Sequence, residues 1–227
     1  MINRYTLDHN KTDIEEYFGI ELSSDFSPIY NAHPRKHLPI LTNFSTSKTV
    51  DFSWGLIPNN AIDAQIALKL CITRAKTILA KSPYCDLIAT QRCIILADSF
   101  FAEKDGQYYR FTTKDKAPFG IAGIYNQTGK QEDGSFMFES FSMIQTPASI
   151  SIADQTELMP AILAKEMFGA WLSDSQKTQA LQNLLIPYSR PLDYYRVSDT
   201  IVDIDTNTSK TITPFGETPS GESLSLF

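Results

Sequence analysis

Apolar and polar residues alternate along several short segments of this chain. Val50, Phe52 and Trp54 are separated by Asp51 and Ser53, which predicts a strand with one buried face. Similar β-like patterns occur at residues 93–101, 108–112, 119–125, 136–145 and 194–202. The pair at 105–106, Asp-Gly, lies between two of these segments and predicts a hairpin turn, whereas residues 127–134 are polar and predict a surface loop.

Helical spacing is confined to shorter stretches. Thr12 and Glu15 form a predicted capping box, and Gly19 supplies a left-handed stop after an apolar stripe at Ile14, Tyr17 and Phe18. Residues 60–82, 164–172 and 175–185 also favour helix. Strands that are adjacent in sequence, with helices inserted between them, predict an α+β fold built on an antiparallel sheet.

Composition favours one globular domain. The chain has 227 residues, of which 42% are apolar, so it can build a sizeable core. We expect a single domain over residues 1–205, followed by an irregular tail over residues 206–227, which are rich in Thr, Ser, Gly and Pro.

The net charge of −6 counts against strong non-specific binding to nucleic acid, although it leaves room for a local basic cleft. The three cysteines are unevenly spaced, and they indicate buried, reduced thiols in a cytoplasmic protein. No stretch is long and apolar enough to span a bilayer, so we expect no membrane association.

No cofactor is predicted, because no glycine-rich phosphate loop occurs. No metal site is predicted either. His33 and His37 are four residues apart, but Pro34 between them disfavours the helix that such a pair would need. A surface loop is the better interpretation of this segment.

A set of short motifs, in the same order, resembles the SOS response-associated peptidase (SRAP) family. Its Trp-Gly-Leu-Ile-Pro block is matched in full at residues 54–58. The other matches are Met1-Ile2-Asn3-Arg4-Tyr5, Tyr30-Asn31-Ala32-His33-Pro34, Arg74-Ala75-Lys76-Thr77, Arg92 to Ala102, Ala122-Gly123-Ile124-Tyr125, Thr146-Pro147-Ala148 and Met159-Pro160. The resemblance implies an SRAP-like antiparallel sheet or barrel core with peripheral helices.

The same resemblance implies a particular chemistry. Family members expose an N-terminal cysteine, whose thiol and α-amine condense with the aldehyde of an abasic site in single-stranded DNA. A glutamate and a histidine handle proton transfer. In this chain the cysteine position is Ile2, the glutamate position is Ala102 and the histidine position is Thr156. An asparagine near the site falls on Ile72, and a base-stacking tryptophan falls on Asn60.

Four positions of the family cleft retain groups that suit DNA or another ligand. They are Arg4, Arg74, Trp54 and Thr146. Arginine forks suit phosphate oxygens, so Arg4 and Arg74 are candidate phosphate contacts. The alternative is that both arginines pair with carboxylates and that Trp54 belongs to the core.

Three functions follow from these observations. The chain is a catalytically silent SRAP-fold protein with residual affinity for single-stranded DNA, or an active divergent peptidase and DNA-crosslinking enzyme. The third is a small-ligand or protein-interaction module that reuses the cleft. The replacement of three reactive positions favours the first.

Overall fold

A computed structural model describes residues 3–59, 61, 63–132 and 136–216 of the chain. The strands are β1 (Tyr5–Leu7), β2 (Ile29–Ala32), β3 (His37–Thr42), β4 (Ser45–Trp54), β5 (Ile72–Arg74), β6 (Arg92–Ala97), β7 (Ser99–Lys104), β8 (Gln107–Thr113), β9 (Phe119–Lys130), β10 (Phe136–Pro147), β11 (Leu158–Pro160), β12 (Ile162–Leu163) and β13 (Leu192–Val197). The α-helices are α1 (Lys11–Phe18), α2 (Tyr84–Leu87), α3 (Phe168–Leu172) and α4 (Thr178–Asn183). Short 3-10 helices cover Ala64–Leu68, Ala75–Ala80, Lys165–Met167, Asp199–Val202 and Ser209–Ile212.

The strands form two sheets. The smaller sheet has the order β13-β8-β7-β1-β2, and every pairing in it is antiparallel. In the larger sheet, β4, β3, β6, β9 and β10 pair in succession, and β10 then pairs with β4. This last pairing closes five strands into a barrel. The α+β prediction with a sheet or barrel core is confirmed.

The barrel is not purely antiparallel. β10 runs parallel to β4 through Ser140 and Phe141, and then parallel to β5 through residues 143–145. Strand β5 therefore takes over the pairing with β10 at the point where β4 ends. Helix period and strand alternation do not encode this pairing, because it joins segments about 70 to 90 residues apart in sequence.

Aromatic side chains fill the core. Trp54 is fully buried, stacks on Phe141 at a centroid distance of 6.3 Å, and lies 5.3 Å from the ring of Tyr5. Gly123 lies on the inner surface of the barrel, where an added Cβ would stand 2.8 Å from the Cys93 sulfur. A larger side chain at Gly123 would therefore require its neighbours to move.

Helix α1 confirms the predicted apolar stripe and the stop at Gly19, which has a φ of 69°. The predicted cap was wrong by two residues, because Asn10 rather than Thr12 accepts the backbone hydrogen bond of Asp13. Asparagine is at least as favourable an N-cap as threonine. Residues 60–82 hold two 3-10 helices and β5 rather than α-helix.

Two further boundaries differ from the predictions. The loop expected from residue 127 is still strand to Lys130, because β9 pairs with β10 as far as Phe136. Residues 133–135 of that loop lie outside the described residues. The predicted strand at 194–202 stops at Val197, and a 3-10 helix follows.

The described part of the predicted tail, residues 206–216, is irregular apart from one 3-10 helix, in which Thr211 is fully buried. No helix among the described residues is both long and apolar enough to cross a membrane.

Candidate functional site

The N-terminal residues of the described chain lead to one end of the barrel. The side-chain carboxamide of Asn3 donates a hydrogen bond to the sulfur of Cys71, just before β5, at 3.3 Å. The Cys71 carbonyl accepts bonds from the Trp54 indole at 2.7 Å and from the Met143 amide at 3.0 Å. The start of β1, the end of β4, the start of β5 and the middle of β10 therefore meet there. Met1 and Ile2 themselves lie outside the described residues.

Ala102 lies on β7 beside this end of β1. Tyr5 is opposite Phe100 in the β1–β7 register, so Asn3 comes opposite Ala102. The Ala102 methyl group is fully buried and packs into the main core with Phe100. The position that the family resemblance assigns to a glutamate therefore presents only a methyl group.

The neighbouring Glu103 does not replace the missing carboxylate. It points to the opposite face of β7, as strand alternation requires, and it is exposed. Its carboxylate accepts a 2.7 Å hydrogen bond from the Gly106 amide and thereby closes the hairpin turn between β7 and β8.

Thr156 lies in the loop that joins β10 to β11. Its hydroxyl donates a hydrogen bond to the Leu158 carbonyl at 2.9 Å, and only 8% of the residue is exposed. The Lys104 ammonium group donates to the Asp154 carbonyl at 2.5 Å, so this loop lies against the end of β7. A threonine hydroxyl does not titrate near neutral pH, and it cannot take the acid–base role of histidine.

Arg4 is used largely as a structural donor. Its guanidinium donates to the carbonyl oxygens of Ile201, Val202 and Asn3 at distances of 3.3, 3.2 and 2.9 Å. Burial lowers its pKa. The sequence left two alternatives for Arg4, a phosphate contact or a structural pair with a carboxylate. Neither describes it fully, because its partners are backbone carbonyls and no described carboxylate pairs with it.

Trp54 is a core residue. Its side chain has no exposed surface and its indole N–H is bonded to the Cys71 carbonyl. The ligand-contact interpretation of Trp54 therefore does not fit the structure, and the core interpretation does. Its complete burial reflects the closure of β4 against β10 and β5, which the sequence pattern does not reveal.

Arg74 and Thr146 differ sharply in exposure. Arg74 ends β5 and is exposed, and its side chain makes no hydrogen bond or ion pair with any described residue. Thr146 lies near the end of β10, is 1% exposed, and its hydroxyl has no hydrogen-bond partner among the described residues. A buried hydroxyl without a partner is uncommon in native proteins.

A charged network, which the motif comparison does not identify, holds the chain just after β1. Arg110 on β8 donates to Asp8 at 2.8 Å, to the Ser99 hydroxyl at 2.8 Å and to the Tyr195 hydroxyl at 3.0 Å. Asp98, which is 1% exposed, accepts from the His9 ring at 3.0 Å and from the Thr6 hydroxyl. The sequence signal was weak, because Asp98 and Arg110 lie in segments whose patterns are those of ordinary strands.

The pKa values of the two carboxyl groups in this network are shifted in opposite directions. Burial and the charge of Asp98 raise the pKa of Asp8. Burial also opposes ionisation of Asp98, but hydrogen bonds with His9 and Asp8 and the charge of Arg110 outweigh it and lower its pKa. The hydrogen bond to Asp98 raises the pKa of His9.

Asp8, His9 and Asp98 place three groups of the kind that ligate metals within 4.8 Å of one another. The guanidinium of Arg110 already supplies a positive charge 2.8 Å from Asp8. A cation would have to compete with that charge, so the group is better suited to fixing β1 than to holding a metal.

Comparison with known proteins agrees with the fold. The sequence profile of the family described as SOS response associated peptidase (SRAP) matches residues 1–204. Abasic site processing protein YoaM of Bacillus subtilis (strain 168) is 31% identical over 88% of this chain and 92% of its own length. Abasic site processing protein HMCES of Gallus gallus is 23% identical over 83% of this chain and 67% of its own.

A crystal structure of a protein from Bacteroides thetaiotaomicron superposes with a TM-score of 0.81 at 23% identity, and the match covers 94% of this chain and 99% of that one. This likeness shows the shared fold. The profile match over residues 1–204 and the relative at 31% identity show the family. The chain therefore belongs to the SRAP family.

Proposed function

We propose that this chain binds single-stranded DNA non-covalently and does not form the covalent abasic-site adduct that the family resemblance implies. The observation that carries the proposal is the fully buried Ala102 on β7, at the position of the family glutamate. Thr156, at the histidine position, has its hydroxyl committed to the Leu158 carbonyl. Neither residue can move a proton to or from a reacting group.

The N-terminal sequence supports the same conclusion. A thiazolidine forms when a thiol and an amine on adjacent carbons condense with one aldehyde and release one water. Ile2 carries no thiol, so the second bond to the aldehyde carbon cannot form. An amine alone gives only an imine, which water reverses.

The DNA-binding half of the proposal rests on Arg74 and on the relatives. YoaM and HMCES are both named abasic site processing proteins, and an abasic site is a lesion of DNA. Arg74 is an exposed cation without a partner among the described residues, at the barrel end where β1, β5 and β10 meet. A free guanidinium there is suited to a phosphate oxygen. The free thiols Cys71, Cys85 and Cys93 support a reducing cytoplasmic location.

The covalent half is tested by intact mass after incubation with a single-stranded oligonucleotide that contains one abasic site. We expect the wild-type chain to keep its own mass. A variant with Ile2→Cys, Ala102→Glu and Thr156→His should gain the mass of the oligonucleotide less one water. The matched control carries Ile2→Ser with the same two other changes, so that it differs only in the thiol. An adduct on the wild-type chain would overturn the proposal of silence.

The binding half is tested by fluorescence anisotropy with a labelled single-stranded oligonucleotide at low salt. We expect Arg74→Ala to weaken binding about fivefold, equivalent to about 1 kcal/mol. Lys114→Ala is the control, because Lys114 is an exposed cation beyond the far end of β8. Equal losses in the two variants would show that Arg74 is no specific contact, and absent binding by the wild type would refute DNA binding.

A further inference from the structure

A small cavity lies where the loop between β8 and β9 meets helix α1, the 3-10 helix that follows β12 and the segment just before β13. Its volume is about 110 Å³. Its inner wall is apolar, since Phe119 and Leu163 line it and each is 2% exposed. Two phenol rings and two cationic side chains also border it, namely Tyr17, Tyr188, Lys165 and Arg190.

The cavity is separate from the barrel end at which Trp54 lies. Phe119 begins β9, whereas Tyr125, six residues further along, pairs with Phe141, and Phe141 pairs in turn with Trp54. At about 3.3 Å per residue, these two levels of the barrel lie about 20 Å apart along the strand. None of the family positions considered above lines the cavity.

The two cations at this cavity lack a carboxylate partner. Neither Lys165 nor Arg190 forms an ion pair with any residue that the structure describes. The Lys165 ammonium group instead lies over the ring of Tyr17, 4.9 Å from the ring centroid. This contact holds the positive charge in place without neutralising it, so the ammonium group can still donate hydrogen bonds to a ligand.

The two phenol hydroxyls add uncharged donors. Burial raises the pKa of Tyr17, and it also raises the pKa of Tyr188, although the charge of Arg190 opposes this second increase. Both hydroxyls therefore keep their protons near neutral pH, and the guanidinium of Arg190 lies close enough to Tyr188 for its charge to act there. Phenol and cationic donors at one cavity are complementary to an anionic oxygen.

Two carboxylates also line the cavity, Asp115 and Glu166. Asp115 accepts a hydrogen bond from the Ala117 amide at 3.3 Å, and a hydrogen bond with Thr113 lowers its pKa, so this carboxylate is held within its own turn. Glu166 is exposed. A cationic ligand would compete with Lys165 for the aromatic ring beneath it, whereas an anionic ligand would be opposed mainly by Glu166.

We propose that this cavity binds a small carboxylate that carries a short apolar chain. The carboxylate oxygens accept hydrogen bonds from Lys165, Arg190 and the phenol hydroxyls, and the hydrocarbon part lies against Phe119 and Leu163. The volume is that of a few water molecules, so the ligand is small. The inference goes beyond the proposed function and does not depend on DNA binding.

The direct test is an NMR titration with butyrate at constant ionic strength, in which the backbone amides of Ala164 and Tyr188 report binding. We expect saturable shifts in the wild type and about tenfold weaker binding when Lys165→Gln and Arg190→Gln are combined. Lys114→Gln is the matched control, because it removes an exposed cation of the same loop that does not line the cavity. Equal affinities of the wild type and the double variant would overturn the proposal.

Two further comparisons test the class of ligand. Glu166→Gln removes the opposing carboxylate, so it should strengthen butyrate binding about twofold, whereas it would weaken the binding of a cation. Butyrate should bind about fivefold more tightly than acetate, because its two additional methylene groups contact the apolar wall. Butylammonium should not compete with butyrate. Tighter binding of butylammonium, weaker butyrate binding by Glu166→Gln, or equal affinity for acetate and butyrate would each refute the assignment.

Discussion

At the scale of single residues, Arg92 shows how differently a matched motif position can be used. The side chain is fully buried at the start of β6. It donates to the carbonyl oxygens of Ile88, Ala89, Trp171 and Ser173, and to the carboxylate of Asp174. One guanidinium therefore satisfies backbone groups on two segments about 80 residues apart in sequence.

We predict that Arg92→Met lowers the free energy of unfolding by about 3 kcal/mol, because several buried carbonyls lose their donor. Asp174→Ala should cost less than about 1 kcal/mol, since the Asp174 side chain is 71% exposed and water screens its charge. Urea denaturation of both variants checks the difference. Equal losses would mean that the ion pair, rather than the carbonyl bonds, stabilises this region.

Single residues also show how far the sequence alone could lead. The motif order identified Ala102 and Thr156 as the positions to inspect. The structure places Ala102 beside the start of β1, and Thr156 in a loop that lies against the end of β7. It did not separate Trp54, a core residue, from Arg74, an exposed one. Exposure depends on which strands close over a side chain, and that closure is a property of the tertiary fold.

At the scale of elements, strand β1 is short and depends on its polar neighbours. Its three residues pair with β2 and β7, and the network of Asp8, His9, Asp98 and Arg110 holds the segment just after it.

The His9–Asp98 hydrogen bond gives a pH prediction with a defined sign. It raises the pKa of His9, so the folded chain binds this proton more tightly than the unfolded chain. The resulting stability is complete below the ordinary histidine pKa and is lost as the pH rises through the raised value. We expect the unfolding free energy of the wild type to fall across that window and that of His9→Gln to remain flatter.

Denaturant titrations at a series of pH values measure this difference, and His37→Gln serves as the exposed control. The pKa of Asp8 is also raised, so its ionisation lowers the free energy of unfolding as the pH rises, but in a lower pH range than that of His9. Asp98 has a lowered pKa and acts oppositely, with stability lost as the pH falls. A wild-type profile that matches His9→Gln in the histidine window would contradict the assigned role of His9.

Element prediction from the sequence succeeded where a local signal was strong. The Asp105-Gly106 hairpin is present, with positive φ values of 52° and 74° at its two central residues. The helix stop at Gly19 is also present. At residues 60–82 the predicted helix takes the form of two 3-10 helices on either side of β5, since pairing with β10 overrides the local preference for α-helix.

At the scale of the whole molecule, the chain that follows β13 crosses from one edge of the smaller sheet to the strands at its other edge. Arg4 binds the carbonyls of Ile201 and Val202, and Asn31 donates to the carbonyls of Asp203 and Thr206. The chain after β13 therefore returns to β1 and β2. The expected boundary after residue 205 falls in the middle of these contacts.

This return path predicts the effect of truncation. A chain that ends at Asp205 loses the Asn207 carboxamide oxygen, which accepts from the amides of Tyr30 and Asn31 at 2.9 and 3.0 Å. It also loses the Ile212 carbonyl, which accepts from the Tyr195 hydroxyl at 2.8 Å. The Thr206 carbonyl, which accepts from the Asn31 side chain at 2.9 Å, and the Phe215 amide, which donates to the Arg196 carbonyl at 2.8 Å, are lost as well. Five hydrogen bonds at about 1 kcal/mol each give an expected loss of about 5 kcal/mol relative to a chain that ends at Gly216.

Asn207→Ala in the full chain isolates the first part of this effect, because it removes the two accepted bonds and keeps the Ile212 carbonyl. Its loss of unfolding free energy should lie between those of the two truncated chains. If the chain ending at Asp205 unfolds at the same urea concentration as the chain ending at Gly216, residues 206–216 contribute nothing to the fold, and the domain ends where the sequence composition changes.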